Sequence, residues 1–172
     1  MQAARRFSAD QVTKIVLHGS QVTMDHVGWK YRPEGLTSAQ LNLPFCVATL
    51  LLEGDCFVDQ FGEHVIADAR RMAFAEKVEV RHDAEITARG SKYRHAVRVQ
   101  VHLNDGSLLE RSVEAPRGSE HNFASEEQIV AKFETLAVHA LPRARVAALR
   151  DAVLDLQNLD DSARLAGLMA PE

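Results

Sequence analysis

An α+β fold, with a small and largely antiparallel sheet packed against helices, is what this sequence predicts. Three stretches carry the expectation. Val97, Val99, Val101 and Leu103 alternate with Arg98, Gln100 and His102, the period-two pattern of a strand with one face in a core and one in water. Asn104-Asp105-Gly106 follows; Asp-Gly supplies the positive φ angles of a hairpin turn, so Ser107 to Ala115 should return antiparallel. Thr37 to Gly54 is the most apolar stretch in the chain. Leu41, Phe45, Ala48 and Leu52 form one helical stripe there, and Leu43, Val47, Leu50 and Leu51 cover most of the remaining circumference. A helix that is apolar nearly all round is expected to be buried on several sides.

The remaining elements follow in order. Val12 to His18 is rich in β-branched residues and reads as a strand, with Ile15 and Leu17 on one face. Gln21 to Leu36 reads as a long polar connection holding the single tryptophan, Trp29. Connections of that length are often functional, and cover over a core is the equal alternative. Asn42 can cap the central helix, Pro44 suits its first turn, and Gly54 can end it. Asp55 to Phe61 is ambiguous between helix and extended chain. Asp68 can cap a helix from Ala69 to about Lys77, with Met72, Ala73 and Glu76 as a weak stripe, and Val78 to His82 reads as a strand. Ser125 and Gln128 make a capping box for a helix to Leu141, with Ile129, Phe133, Leu136 or Ala137, and Ala140 inward. Pro142 stops that helix. A second helix, roughly Arg143 to Asn158, carries Val146, Leu149, Val153 and Leu156 on one face, and a short last helix carries Leu165 and Leu168. The resulting division is an α+β domain over 7–141 and C-terminal helices over 142–172.

Composition narrows the function. A chain of 172 residues with 46% hydrophobic content can bury a core of its own. The net charge of −4 is spread without a basic stripe, which argues against a nucleic-acid partner. The start, Met-Gln-Ala-Ala-Arg-Arg, has no apolar run behind it, so no secretory signal is read; no stretch reaches membrane-spanning length. Cys46 and Cys56, the two cysteines, read as reduced thiols of a cytoplasmic protein and not as a disulfide framework.

Spacing alone reveals no reaction centre. The eight histidines are scattered, and no metal-ligand spacing is present. The nine glycines stand singly, so no phosphate-binding loop is read, and neither a nucleophile elbow nor a Cys–His pair occurs. No catalytic residue, metal or cofactor is assigned.

The order of the pieces is more specific than any one of them. Ser38-Ala39-Gln40-Leu41-Asn42-Leu43-Pro44-Phe45, then Lys77-Val78-Glu79-Val80, the Val97–Leu109 hairpin, Pro116-Arg117-Gly118-Ser119, Asn122, and the capped helix reaching Lys132-Phe133 follow one another. This series resembles the second, lid-like domain of the 2-methylcitrate dehydratase superfamily (MmgE/PrpD), which includes cis-aconitate decarboxylase. Asn42 stands where that family usually has Ser, Leu41 where it has Phe, and Glu120 and Phe123 where its loop has prolines. The resemblance implies a lyase or isomerase acting on a small di- or tricarboxylic acid by proton abstraction beside a carboxylate. It also implies a partner: the family's helical N-terminal domain, with its Asp-Asp-x-x-His and Lys-x-Phe-Pro stretches, neither of which occurs in this sequence. The chain is then a fragment, a separate small subunit or a degenerate relative, inactive by itself and part of a homo- or hetero-oligomer. On this reading Ser38, Gln40 and Asn42, with Lys30 and Arg32 of the long connection, face the substrate. Capping remains the competing role for Asn42, and a stand-alone, non-catalytic binding or regulatory subunit is the competing role for the chain. The stripe on the 143–158 helix is expected to face a partner, against the alternative that it closes a self-sufficient core.

Overall fold

The computed structural model describes residues 7–170; the charged start at Arg5-Arg6 lies outside them. The chain forms two compact units, one up to Pro116 and one from Arg117 onward. This groups the helix that follows Ser125 with the helices after it.

In the first unit a four-stranded sheet has the order β2-β1-β3-β4, formed by β1 (Val12–Gly19), β2 (Val78–His82), β3 (Val97–Leu103) and β4 (Leu108–Val113). β1–β3 and β3–β4 are antiparallel, while β1–β2 is parallel with Ile15 opposite Val78. The β3–β4 turn uses Gly106 at φ 83°, as the Asp-Gly pair requires. A bulge at Val12/Lys14 lets Val12 and Ile15 both face the core.

The helices of this unit are α1 (Gln21–Val27), α2 (Leu36–Gln40), α3 (Leu43–Glu53), α4 (Glu63–Ile66), α5 (Ala69–Ala75) and α6 (Ala84–Ala88). The connection expected from Gln21 to Leu36 therefore begins as a helix. Ser20 supplies its cap by accepting from the Thr23 N–H at 3.3 Å, a signal hidden because α1 is too short for a visible apolar period. Asp55–Phe61 resolves as a 3₁₀ turn at Val58–Gln60.

The core lies on one sheet face. Val12, Ile15, Leu17, Val78, Val101 and Leu109 meet Phe45 and Ala48 of α3 and Phe74 and Ala75 of α5. Phe45 is fully buried, with the Tyr31 ring at 4.5 Å and the Phe61 ring at 6.0 Å. Two expectations change. α5 buries Arg71, Phe74 and Ala75 and not the weak stripe at Met72, Ala73 and Glu76. α3 buries Pro44, Phe45, Ala48 and Thr49, whereas Leu50 is 47% exposed and Leu41 just before the helix is 50% exposed. Leu43, Val47, Leu51 and Leu52 are partly buried against the same core, so among its apolar residues the helix leaves Leu50 in the open.

The other sheet face is ionic. Glu79 pairs with Lys14 at 2.6 Å and receives both the Arg81 Nε and Nη2 at 2.7 and 2.9 Å. His18 hydrogen-bonds Gln100, whose amide donates to Glu110 at 2.6 Å. Val16 lies in register between Glu79 and Gln100 and is buried all the same, which long polar side chains achieve through their apolar stems.

The second unit holds α7 (Glu126–Ala137), α8 (Arg143–Leu154) and α9 (Ala163–Met169). The Ser125–Gln128 capping box forms as expected, and α8 packs with α7 and α9. Arg150 of α8 donates to Glu134 of α7 at 2.5 Å. The inward set expected on α7 is not buried: Ile129 and Leu136 are exposed and Phe133 is half-buried. The α8 stripe divides. Val146 and Leu149 are buried, Val153 and Leu156 are exposed, and Ala152 takes the inner position.

Two measurements check this description. Phe45→Ala should lower unfolding free energy by about 3–5 kcal/mol in urea titration, as truncations of enclosed aromatic side chains do. The hydrogen bonds from Arg81 and then Lys14 hold the Glu79 carboxyl well below the usual range, at about 2. Its stabilising effect is complete above the unfolded pKa and is lost as pH falls through the folded value. NMR titration should therefore show Glu79 still ionised at pH 3, and Arg81→Ala should move its midpoint up toward the ordinary Glu value.

Candidate functional site

The stretch from Trp29 to Cys46 is built around one amide. Asn42 Oδ1 accepts the Phe45 N–H at 2.9 Å and so caps α3. Asn42 Nδ2 donates to the Trp29 carbonyl at 2.7 Å, which fastens the long connection to the helix. The side chain is fully buried with both ends of its amide engaged. Those two bonds hold the segment in place.

The same geometry consumes the donors at the N-terminus of α3. Pro44 has no N–H, the Phe45 N–H goes to Asn42 Oδ1, and the Cys46 N–H goes to the Asn42 carbonyl at 3.0 Å. Backbone amides at a helix N-terminus can hold a carboxylate, but those of Phe45 and Cys46 are already engaged within the helix entry.

The five residues assigned from sequence fall in distinct places. Ser38 donates to the Arg32 carbonyl at 3.4 Å, so α2 and the connection are joined at that point. Gln40 is exposed on the last turn of α2. Arg32 is exposed, and among the described residues no carboxylate lies within ion-pair distance of it. Asn42 is the buried fastener. Lys30 points elsewhere, into a groove of about 630 Å³ beside β2, where it pairs with Glu76 at 3.1 Å.

That groove is lined by Trp29, Tyr31, Pro44 and Met72 together with Lys14, Lys77 and Glu79. Its lysines are engaged: Lys14 with Glu79, and Lys77 donating to the Val12 carbonyl at 2.9 Å. Trp29 is 38% exposed at its rim. The groove is thus an open cleft of mixed lining, with apolar and charged side chains in similar measure and its lysines held by Glu76, Glu79 and the Val12 carbonyl. Among the described residues no three His, Cys, Asp or Glu side chains converge as a metal-ligand set. No helix there is long and apolar enough to cross a membrane.

Two residues that shape the region escaped the sequence reading. Arg71 is buried, lies over the Phe45 ring at 5.5 Å, pairs with Glu53, and donates to the Gln60 carbonyl at 3.2 Å. Nothing in its sequence position marks an arginine on a weakly patterned helix as a core residue. Tyr31 is buried, and its hydroxyl donates to the Ile66 carbonyl at 2.7 Å. Burial pushes its pKa up against the opposing pull of Arg71. An aromatic residue inside a polar connection was its one visible signal.

Comparison with known proteins agrees with the order of these elements. Residues 1–158 match the family described as the MmgE/PrpD C-terminal domain. The cis-aconitate decarboxylase-like protein oryM of Aspergillus oryzae is 27% identical over 172 residues, covering 97% of this chain and 35% of that relative. A cis-aconitate decarboxylase of Aspergillus terreus is 29% identical over 168 residues, covering 95% of this chain and 34% of its own length. The chain spans about a third of the length of the curated relatives it matches.

Variants at Asn42 separate its two hydrogen bonds. Asn42→Ala should cost about 0.5–2 kcal/mol for the cap and about 1–3 kcal/mol more for the Trp29 carbonyl left without its donor. Asn42→Ser should restore the cap alone. It should be measurably more stable than the alanine variant, while its Trp29 fluorescence shifts from wild type in the same direction. Equal stability of the two variants in urea would show that the cap contributes nothing.

Proposed function

We propose a role for this chain from its membership of the MmgE/PrpD family, in which it belongs as the C-terminal domain. The proposal is that it forms the lid-like part of a lyase acting on a small di- or tricarboxylic acid, with dehydration, decarboxylation or isomerisation as the reaction class. The observation that carries it is the match over nearly the whole chain to proteins named as cis-aconitate decarboxylases and to one named as similar to them.

On this reading a helical domain of the same family supplies the base that removes the proton beside a carboxylate. This chain supplies polar groups around the acid. Gln40 and Arg32 are the exposed donors best suited to contact it; Arg32 offers the forked guanidinium that carboxylates bind well. Ser38 steadies the Arg32 backbone, Asn42 fixes the turn that carries Gln40, and Lys30 borders the adjoining groove.

The open apolar surface supports a partner. Leu36, Leu41 and Leu50 stand exposed around α2 and α3, and Ile129, Val153 and Leu156 stand exposed in the second unit. Exposed apolar side chains support that reading where they join into a patch.

The test is to assay the chain alone and in assembly with a helical family partner, using cis-aconitate and 2-methylcitrate. The chain alone should give no turnover, and the assembly should convert one of the acids. In the assembly Gln40→Ala should lower kcat/KM by about tenfold to a hundredfold, the effect of removing one hydrogen bond to a charged group. Conversion at enzyme-like rates by the isolated chain would refute the division of labour. Failure of every assembly to turn over either acid would favour a non-catalytic binding subunit.

A further inference from the structure

The sheet has β2 at one edge and β4 at the other. The register fixes which backbone groups of β2 are already spent. The Ile15 N–H donates to the Lys77 carbonyl at 2.9 Å, and the Asp83 N–H donates to the Gly19 carbonyl at 2.7 Å. With Ile15 opposite Val78 and Leu17 opposite Val80, the N–H and C=O groups of Glu79 and Arg81 point at β1. Those of Val78, Val80 and His82 point the other way, and among the described residues nothing pairs with them. Val78, Glu79 and Val80 also line the open groove beside β2, so this edge borders free space.

An unpaired edge is a template for another strand, and the side chains of β2 specify which one. If β2 pairs antiparallel with β2 of a second copy, the free backbone groups of Val78, Val80 and His82 must face one another. The register that pairs the whole strand sets Val80 opposite Val80 and Val78 opposite His82. It also sets Glu79 opposite Arg81 on both sides of the axis, at the non-bonded positions where side chains come closest. Within one chain Arg81 already donates to both carboxylate oxygens of Glu79, from Nε at 2.7 Å and from Nη2 at 2.9 Å. The pairing joins two such couples into a ring of alternating charge. The neighbouring registers that keep the bonding pattern put Glu79 against Glu79 or Arg81 against Arg81. β4 lacks this match. Its pairing with β3 leaves the backbone groups of Leu108, Glu110 and Ser112 outward. The registers that use most of β4 set Glu110 against Glu110 or Arg111 against Arg111, and like charges placed opposite repel.

We propose that β2 is a docking edge for a second copy of this chain. The two copies join antiparallel along β2, about a two-fold axis at Val80, and each four-stranded sheet continues into the other. The contact is self-complementary, so it closes at two copies and leaves no β2 edge for a third. One strand pair is a narrow interface, which makes the dimer reversible and dependent on concentration. This surface stands independently of the proposed lyase role.

Sedimentation of the purified chain over a wide concentration range should show a monomer passing to a dimer and to nothing larger. Amide exchange should slow at Val78 and Val80 as the dimer forms, while the Glu79 and Arg81 amides are protected at every concentration. Val80→Pro removes an N–H that β1 does not use, so that variant should keep its circular dichroism spectrum and stay monomeric. Charge variants test the register without altering the backbone, at side chains that are 42% and 48% exposed. Glu79→Arg alone and Arg81→Glu alone should each be monomeric, because like charges then face each other across the axis. Mixed in equal amounts, the two should form a heterodimer, and the double variant carrying both substitutions should dimerise as the wild type does. A wild type that stays monomeric at the highest concentration reached would overturn the proposal. So would a dimer that Val80→Pro leaves intact, or single charge variants that self-associate as the wild type does. The charge variants decide the matter even where the proline variant folds poorly.

Discussion

The Asn42 amide is the constraint on which the first unit depends. One side chain sets where α3 begins and holds the Trp29 carbonyl against it. Without that bond the connection from Gly28 to Gly35 has few fixed points: the Tyr31 hydroxyl on Ile66, the Ser38 hydroxyl on Arg32, and the Lys30–Glu76 pair. The last of these is exposed and screened by solvent, so it contributes little. A buried amide with both ends satisfied is a firmer link than any surface ion pair, because breaking it leaves polar atoms without water. The position of the groove beside β2 and the placement of Gln40 both follow from it.

Phe45 is the second fixed point, and it shows how a charge can serve a core. Arg71 is buried against the Phe45 ring, but its guanidinium is met by Glu53 and the Gln60 carbonyl. Desolvation, the largest influence on it, draws its pKa down, although a guanidinium remains protonated at neutral pH. The pairing gives α3, α5 and the returning 55–61 segment a common directional contact that apolar packing alone would not specify. Around the rest of α3, Leu43, Val47, Leu51 and Leu52 are partly buried against the same core and Leu50 stands exposed.

Local chemistry was legible in the sequence and distant chemistry was not. The Asp105-Gly106 turn, the Ser125–Gln128 box, the Asp68 cap, and the Asn42 and Gly54 ends of α3 each rest on a few adjacent residues, and each formed. The alternation of β3 fixed its core face in the same way. The parallel pairing of β1 with β2 left no trace, because nothing in either strand names its neighbour. Helix faces failed where exposure depends on what else is present. Ile129 and Val153 have the spacing of core residues but stand in the open. The candidate site was legible as a stretch of chain, not as an arrangement: sequence named Ser38, Gln40, Asn42, Lys30 and Arg32 together, whereas Lys30 lies in the groove and Asn42 lies in the interior.

The place of β1 in the sheet also governs the order in which the chain can assemble. β1 is central, but Ile15 pairs with Val78 on one side and Val101 on the other, both far along the chain. The β3–β4 hairpin needs only its own turn and can close in about 1–10 μs. β1, which precedes the sheet's other three strands in the chain, must instead wait until both neighbours exist, and each pairing closes a long loop at an entropic cost. Until then Ile15, Val16 and Leu17 remain unpaired and β-prone, a segment with high affinity for any other open strand edge. The step that inserts β1 therefore sets both the pace of folding and the interval in which the young chain is most exposed to aggregation.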